Sequence, residues 1–134
     1  MPDPKPLSAL QMAVMRVFWT RGEATSSEVH HALRAQRDLA PTTVATVISR
    51  LAKQGILDFR RDGRQYIYFP LVTEREVRRS MVGDLIDTLF RGNRTALVSH
   101  LVNEGDITPD ELALLRRLLN NADSDDTDAD GGHA

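Results

Sequence analysis

Between Thr42 and Lys53 the chain reads Thr42-Thr43-Val44-Ala45-Thr46-Val47-Ile48-Ser49-Arg50-Leu51-Ala52-Lys53, which interleaves two chemistries at helical spacing. Val44, Val47, Ile48 and Leu51 recur at i, i+3, i+4 and i+7 and make one apolar face. Thr42, Thr43, Thr46, Ser49, Arg50 and Lys53 make the other. Threonine is a mediocre helix former, so a threonine-rich exposed face is a poor choice for stability alone. The same face suits a DNA major groove. Hydroxyls meet base edges there, threonine methyls meet thymine methyls, and an arginine reaches guanine or phosphate. Short side chains also let the helix backbone come close to the bases. Taken alone, the segment is also readable as an ordinary solvated face.

A second basic feature follows. Arg60, Arg61 and Arg64 cluster around Asp62-Gly63, a pair suited to a tight hairpin turn because both residues tolerate positive φ. Arginines at a hairpin tip lie well against phosphate, where they set affinity and salt dependence more than sequence choice. Basic tips also serve as edge protection. The two features together, in this order, point to double-stranded DNA as the partner.

The flanking sequence supplies the elements that position these groups. Ser8 and Gln11 have capping-box spacing, and Leu10, Val14, Val17 and Phe18 carry a helical stripe to Trp19, with Gly22 ending it. Ser26 or Ser27 is expected to cap a second helix running to about Gln36, with Val29 and Leu33 facing inward. Pro41-Thr42 opens the third, and Gly55 stands where a C-terminal cap belongs. The period then changes to that of strands, 56–61 and 64–69, closed by Pro70. Helices followed by a basic hairpin make the outline of a winged helix-turn-helix, mainly α in class.

Beyond it, Thr73 and Glu76 form another capping box. Val77, Met81, Leu85, Ile86 and Leu89 follow, Gly92-Asn93 breaks the run, and Leu97, Val98, Leu101 and Val102 begin a new stripe. Thr108-Pro109-Asp110-Glu111 combines a cap, a first-turn proline and an acidic first turn, ahead of Leu112, Leu115, Leu118 and Leu119. Such short helices cannot bury these stripes within themselves. The expectation is a homodimer interface formed by Val77, Met81, Leu85, Leu89, Leu97, Leu101, Leu112, Leu115 and Leu119. Packing back onto the first domain is the other way to cover them. The expected division is 1–72 for the DNA-binding domain, 73–121 for the helical dimerisation segment, and 122–134 for an acidic, disordered tail.

Composition agrees with this division. The 134-residue chain carries a net charge of −2, yet residues 1–80 hold 13 Lys and Arg against 8 Asp and Glu, while 81–134 hold 4 against 11. Only the first part has the balance of a polyanion binder. There is no cysteine, which excludes a disulfide framework and any thiolate-ligated metal and suits a reducing, cytoplasmic setting. No apolar run is long enough for a membrane helix, and residues 1–6 lack a signal peptide's apolar stretch. No nucleophile motif or Gly-rich phosphate loop suggests an enzyme, and no cofactor is implied. His30 and His31, adjacent on a helix, point about 100° apart, so a metal site is not expected there either.

At these residues the chain resembles the penicillinase-repressor family (BlaI/MecI/CopY-type transcriptional repressors). Val14-Met15 followed by Trp19 resembles the family's first-helix signature, and 41–55 matches its recognition-helix pattern T-[VI]-x-T-[LV]-x-x-R-L-x-K-x-G. The resemblance continues through the wing and the segment from Asn93 to Asn121. It implies a homodimer that binds an inverted-repeat operator and blocks transcription, with Thr43, Thr46 and Arg50 at positions that face DNA. Some relatives carry a long basic residue where this chain has Ala45, which bears on base preference. Two departures stand out. The β-lactam-responsive members are cleaved at an Asn-Phe pair, where this chain has His100-Leu101, and the copper-responsive members carry a C-terminal cysteine cluster that is absent here. A ligand-sensing regulator resembling the MarR or PadR groups, and a winged domain used only for protein contact, are the alternative readings. The second would need neither the threonine face nor the arginine tip.

Overall fold

In a computed structural model, residues 6–105, 107–118 and 120 are described, so the expected acidic tail and Leu119 lie outside the described residues. The elements run α1 (Ala9–Arg21), α2 (Ser26–Leu33), α3 (Pro41–Lys53), β1 (Leu57–Asp62), β2 (Gln65–Pro70), α4 (Glu74–Phe90) and α5 (Arg94–Asn103), with a further helical stretch at 109–118. The chain divides into two compact units, 1–85 and 86–134, the division falling within α4.

Local chemistry starts and stops each helix. Ser8 caps α1 through a reciprocal box in which its Oγ accepts from Gln11 N–H and Gln11 Oε1 accepts from Ser8 N–H. Gly22, at φ +87°, ends the helix in a conformation that side chains other than glycine's rarely adopt. The cap of α2 is Thr25 rather than Ser26 or Ser27, because only Thr25 has an acidic partner three residues on, Glu28, to close the box. This helix ends at Leu33, with residues 34–36 in a turn, short of the expected Gln36. Thr73 with Glu76 and Thr108 with Glu111 close the same box at the later helix starts. Asn93 Oδ1 caps α5 by accepting from Ala96 N–H.

α3 ends in a Schellman motif. Ile56 N–H donates to Leu51 carbonyl at 3.0 Å and Gly55 N–H to Ala52 carbonyl at 3.1 Å, with Gly55 at φ +80°. Leu51 and Ile56, the apolar pair that accompanies such a motif, are both buried. The chain therefore leaves the helix in one fixed direction, straight into β1.

β1 and β2 pair antiparallel with Asp62 opposite Gln65, so the two-residue turn is Gly63-Arg64 and not Asp62-Gly63. A turn one residue earlier would set Arg61 directly opposite Arg64, a repulsive cross-strand pair. The observed register sets Arg61 opposite Tyr66 and leaves Arg64 in the turn. Gly63 has φ +64° while Arg64 does not take a positive φ, the pattern of a II′ turn with glycine first. A single bridge between Ala24 and Tyr68 adds the segment after α1 to the hairpin, with N–H to carbonyl distances of 3.0 and 2.9 Å.

The core of the first unit is one cluster. Val14, Met15 and Phe18 of α1, Val29 and Leu33 of α2, and Val44, Ile48 and Leu51 of α3 meet Leu57 of β1 and Val77 of α4. Each such side chain, removed wholly from water, contributes roughly 1.5–3 kcal/mol before the entropy of ordering is counted. Trp19 pins the chain leaving the hairpin, its indole N–H donating to Val72 carbonyl at 2.9 Å.

Candidate nucleic-acid interface

α3 is held from one side only. Val44, Ile48 and Leu51 are fully buried and Val47 half-buried, whereas Thr42, Thr43, Thr46, Ser49, Arg50 and Lys53 are all exposed. The helix thus carries its core face and its polar face back to back, and the core anchors what the polar face presents. Neither Arg50 nor Lys53 forms an ion pair or hydrogen bond among the described residues. Thr46 differs from its neighbours: its hydroxyl donates to Thr42 carbonyl at 2.8 Å.

The entry to α3 is fixed from α2. His30 Nε2 lies 2.8 Å from Leu39 carbonyl, and since a carbonyl only accepts, this nitrogen carries the proton. Leu39 packs against the core just ahead of Pro41, the first residue of α3. His30 is therefore a packing histidine that sets where the helix begins. His31 is exposed, and no cluster of three or more metal-ligating side chains occurs among the described residues.

The hairpin brings its three arginines to different fates. Arg60 is held by Glu23 in a two-pronged pair, Nη2 to Oε2 at 2.6 Å and Nη1 to Oε1 at 3.0 Å. The hydrogen bond from Arg60 holds the Glu23 carboxyl below its ordinary value, and the same bond raises Arg60. Arg61 lies on the other face of the ribbon, its guanidinium 5.9 Å from the Tyr66 ring centroid and its Nε donating to Gly63 carbonyl. Tyr66 and Tyr68 both pack on Phe59, at 5.1 and 5.6 Å between centroids, and this aromatic run stiffens the ribbon. Arg64, at the turn, has no partner among the described residues. The tip thus offers Arg61 and Arg64 outward while Arg60 is tied back.

Glu23 was not visible as a functional residue in the sequence, because nothing in a spacing pattern joins it to Arg60, 37 positions away. Thr25 was missed as the cap of α2, although Glu28 three residues on is the signal that finds it.

The family model for the penicillinase repressor matches residues 7–121. The chain belongs to the penicillinase-repressor family of DNA-binding transcriptional repressors. Among its relatives, the transcriptional regulator BlaI of Mycobacterium tuberculosis is 40% identical over 118 residues, covering 84% of this chain and 82% of that one. The methicillin resistance regulatory protein MecI of Mammaliicoccus sciuri is 30% identical over 114 residues, covering 85% and 93%. The solution structure of the DNA-binding domain of the repressor BlaI superimposes with a TM-score of 0.50 at 29% identity, covering 56% of this chain and 90% of that domain. The winged helix-turn-helix is thus shared with a family member, and the relatives are transcriptional regulators. No helix among the described residues is long and apolar enough to cross a membrane.

The residues expected at the dimer interface of this repressor take three kinds of position. Val77 is fully buried in the core of the first unit and Met81 is half-buried against that core, so both serve the fold of their own domain. Leu97, Leu112 and Leu115 are half-buried. Leu85, Leu89 and Leu101 are exposed, Leu89 to 66%. α4 also exposes Val82, so that Val82, Leu85 and Leu89 line one helix face at i, i+3 and i+7. Val98 and Val102 of α5 and Leu118 farther on, stripe residues in the sequence, are exposed, as is Leu114, which the sequence pattern did not single out. His100 sits within α5, its Nδ1 2.9 Å from Glu104 Oε2 and its ring 5.8 Å from that of Phe90.

Proposed function

We propose that the chain represses transcription by binding an inverted-repeat operator as a homodimer in the cytoplasm. The observation that carries this reading is the exposed face of α3, where hydroxyls surround an unpaired Arg50 and Lys53 on a helix whose Val44, Ile48 and Leu51 are fully buried on the opposite side. A rigid helix with short polar side chains and free cations is what major-groove readout needs. In this reading Thr42, Thr43, Thr46, Ser49 and Arg50 meet base edges, and Lys53 meets phosphate. Arg61 and Arg64 contact the backbone beside the groove, and Arg60 adds to them when it leaves Glu23.

Two half-sites require two copies of α3, and the apolar stripe Val82-Leu85-Leu89, with Leu97, Leu101, Leu112 and Leu115, is the surface proposed to pair them. An isologous contact of such stripes gives the two-fold symmetry that an inverted repeat mirrors.

Fluorescence anisotropy against duplexes from the chain's own promoter region, at physiological salt, tests the reading. Binding ~10³-fold or more tighter than to a shuffled duplex is expected. Equal, weak and strongly salt-dependent binding to every duplex would defeat it and favour a winged domain whose partner is a protein.

A further inference from the structure

Thr46 stands at the middle of the exposed face of α3. At about 100° per residue, Ser49, Thr42, Lys53, Thr46, Arg50 and Thr43 follow one another across an arc of roughly 120°, with Thr46 near its centre. Val44, Ile48 and Leu51, all buried, lie on the opposite side of the helix. A helix laid in a groove puts the centre of its outer face closest to the bases.

The side chain at that central position is not free in the way its neighbours are. A threonine hydroxyl has one proton to donate. In Thr46 that proton goes to Thr42 carbonyl, at 2.8 Å, four residues back on the same helix. The hydroxyls of Thr42 and Thr43 have no such partner among the described residues. Beyond Cβ the Thr46 side chain has only Oγ1 and Cγ2, and a β-branched side chain has few rotamers on a helix. With its proton given to the backbone, Oγ1 can only accept, and thymine's major-groove edge, O4 and the C5-methyl, offers no donor; towards thymine, Cγ2 is the group left to make contact.

We propose that Thr46 is a specificity-determining residue that reads through its methyl group, selecting thymine by contact with the C5-methyl rather than by a hydrogen bond. The inference rests on the repressor reading above. Methyl contact explains why a β-branched residue stands at the centre of the face, where serine would give the same hydroxyl at similar helix propensity. It divides the work along α3: hydrogen-bond readout falls to Thr43 and Arg50, and shape readout to Thr46.

The test starts from a duplex selected by the full-length chain from a randomised pool, with each thymine then replaced by deoxyuridine, which removes only the C5-methyl. Thr46→Val keeps the methyl and is expected to bind within about twofold of the native chain. Thr46→Ser loses it and is expected to bind about fourfold more weakly, the value of one methyl group withdrawn from water. At one thymine per half-site, deoxyuridine should cost the native chain a similar factor and cost Thr46→Ser nothing further, since the pair has already been broken. Thr46→Ala repeats the Thr46→Ser comparison if either other variant fails to fold by its thermal melt. A loss of tenfold or more in Thr46→Val with Thr46→Ser unchanged would assign the readout to the hydroxyl and overturn the proposal. Equal deoxyuridine effects in the native chain and Thr46→Ser at every thymine would overturn it too. A pool that enriches no sequence would instead remove the repressor reading, and this proposal with it.

Discussion

Glu23 holds Arg60 by both carboxylate oxygens, and it does so one residue before Ala24, whose backbone bridges to Tyr68 on the neighbouring strand. Backbone and side chain thus fasten the same stretch of wing to the end of α1. Both partners are exposed, so the pair adds little to stability. Its consequence lies in charge: a cation at the wing is neutralised until something more anionic than Glu23 displaces it.

Glu23→Gln keeps the side-chain shape and removes the charge. Tighter duplex binding at low salt is expected, with log K against log salt steeper by about one unit as Arg60 becomes available to phosphate. Arg60→Ala should cost less affinity than Arg64→Ala, because Arg64 has no competing partner. Anisotropy titrations across a salt series read both effects, and an unchanged slope in both Glu23→Gln and Arg60→Ala would show that Arg60 does not reach the backbone.

Arg50→Ala removes an unpaired cation from the reading face. If Arg50 contacts a base, the loss is about 1–3 kcal/mol, with specificity relaxed at one position per half-site. If it contacts only phosphate, affinity falls uniformly across sequences and the salt slope drops. Binding measured against every single-base change in the operator distinguishes the two.

Leu89→Asp places a charge where one copy of the chain leaves the residue largely in water. The melting behaviour of a single copy should change little. In a dimer that covers the α4 stripe, the same charge is buried without a partner and association is lost. Light scattering over a concentration series, with operator binding alongside, checks this. A variant that stays fully dimeric removes α4 from the interface.

The capping boxes make a pH prediction. Backbone N–H groups of Thr25, Thr73 and Thr108 hold the carboxyls of Glu28, Glu76 and Glu111 below their ordinary value of 4.5. A carboxyl depressed in the folded state lends stability that is complete above the unfolded value and is lost as pH falls through the folded one. Melting temperature should therefore hold from neutrality to about pH 5 as far as these groups contribute, then fall. Glu28→Gln, which can still accept the Thr25 bond, should show a shallower acid decline than the native chain.

Ile48→Ala opens a cavity directly beneath the reading face, at a fully buried position. A loss of about 2–5 kcal/mol is expected by denaturant titration. Operator affinity should fall only in proportion to the unfolded fraction, because no group that meets DNA is removed.

The sequence by itself determined the element order, the two faces of α3, the Ser8 and Thr73 capping boxes, and membership of the family. These are short-range facts: helical period, a hydroxyl three residues before a carboxylate or amide, a glycine at a helix end. Tertiary structure decided the rest. The hairpin turn stands one residue later than Asp62-Gly63 suggests, in the register that sets Phe59 opposite Tyr68 and Arg61 opposite Tyr66, cross-strand pairs that the local turn preference does not encode. Val77 and Met81 joined the first unit's core because the chain after β2, pinned by Trp19 at Val72, brings the start of α4 back onto it. Periodicity marks a residue as apolar without saying which neighbour will cover it. Arg60 and Glu23 met for the same reason: a charge pair 37 residues apart depends on where the fold sets two strands, and no local spacing encodes that.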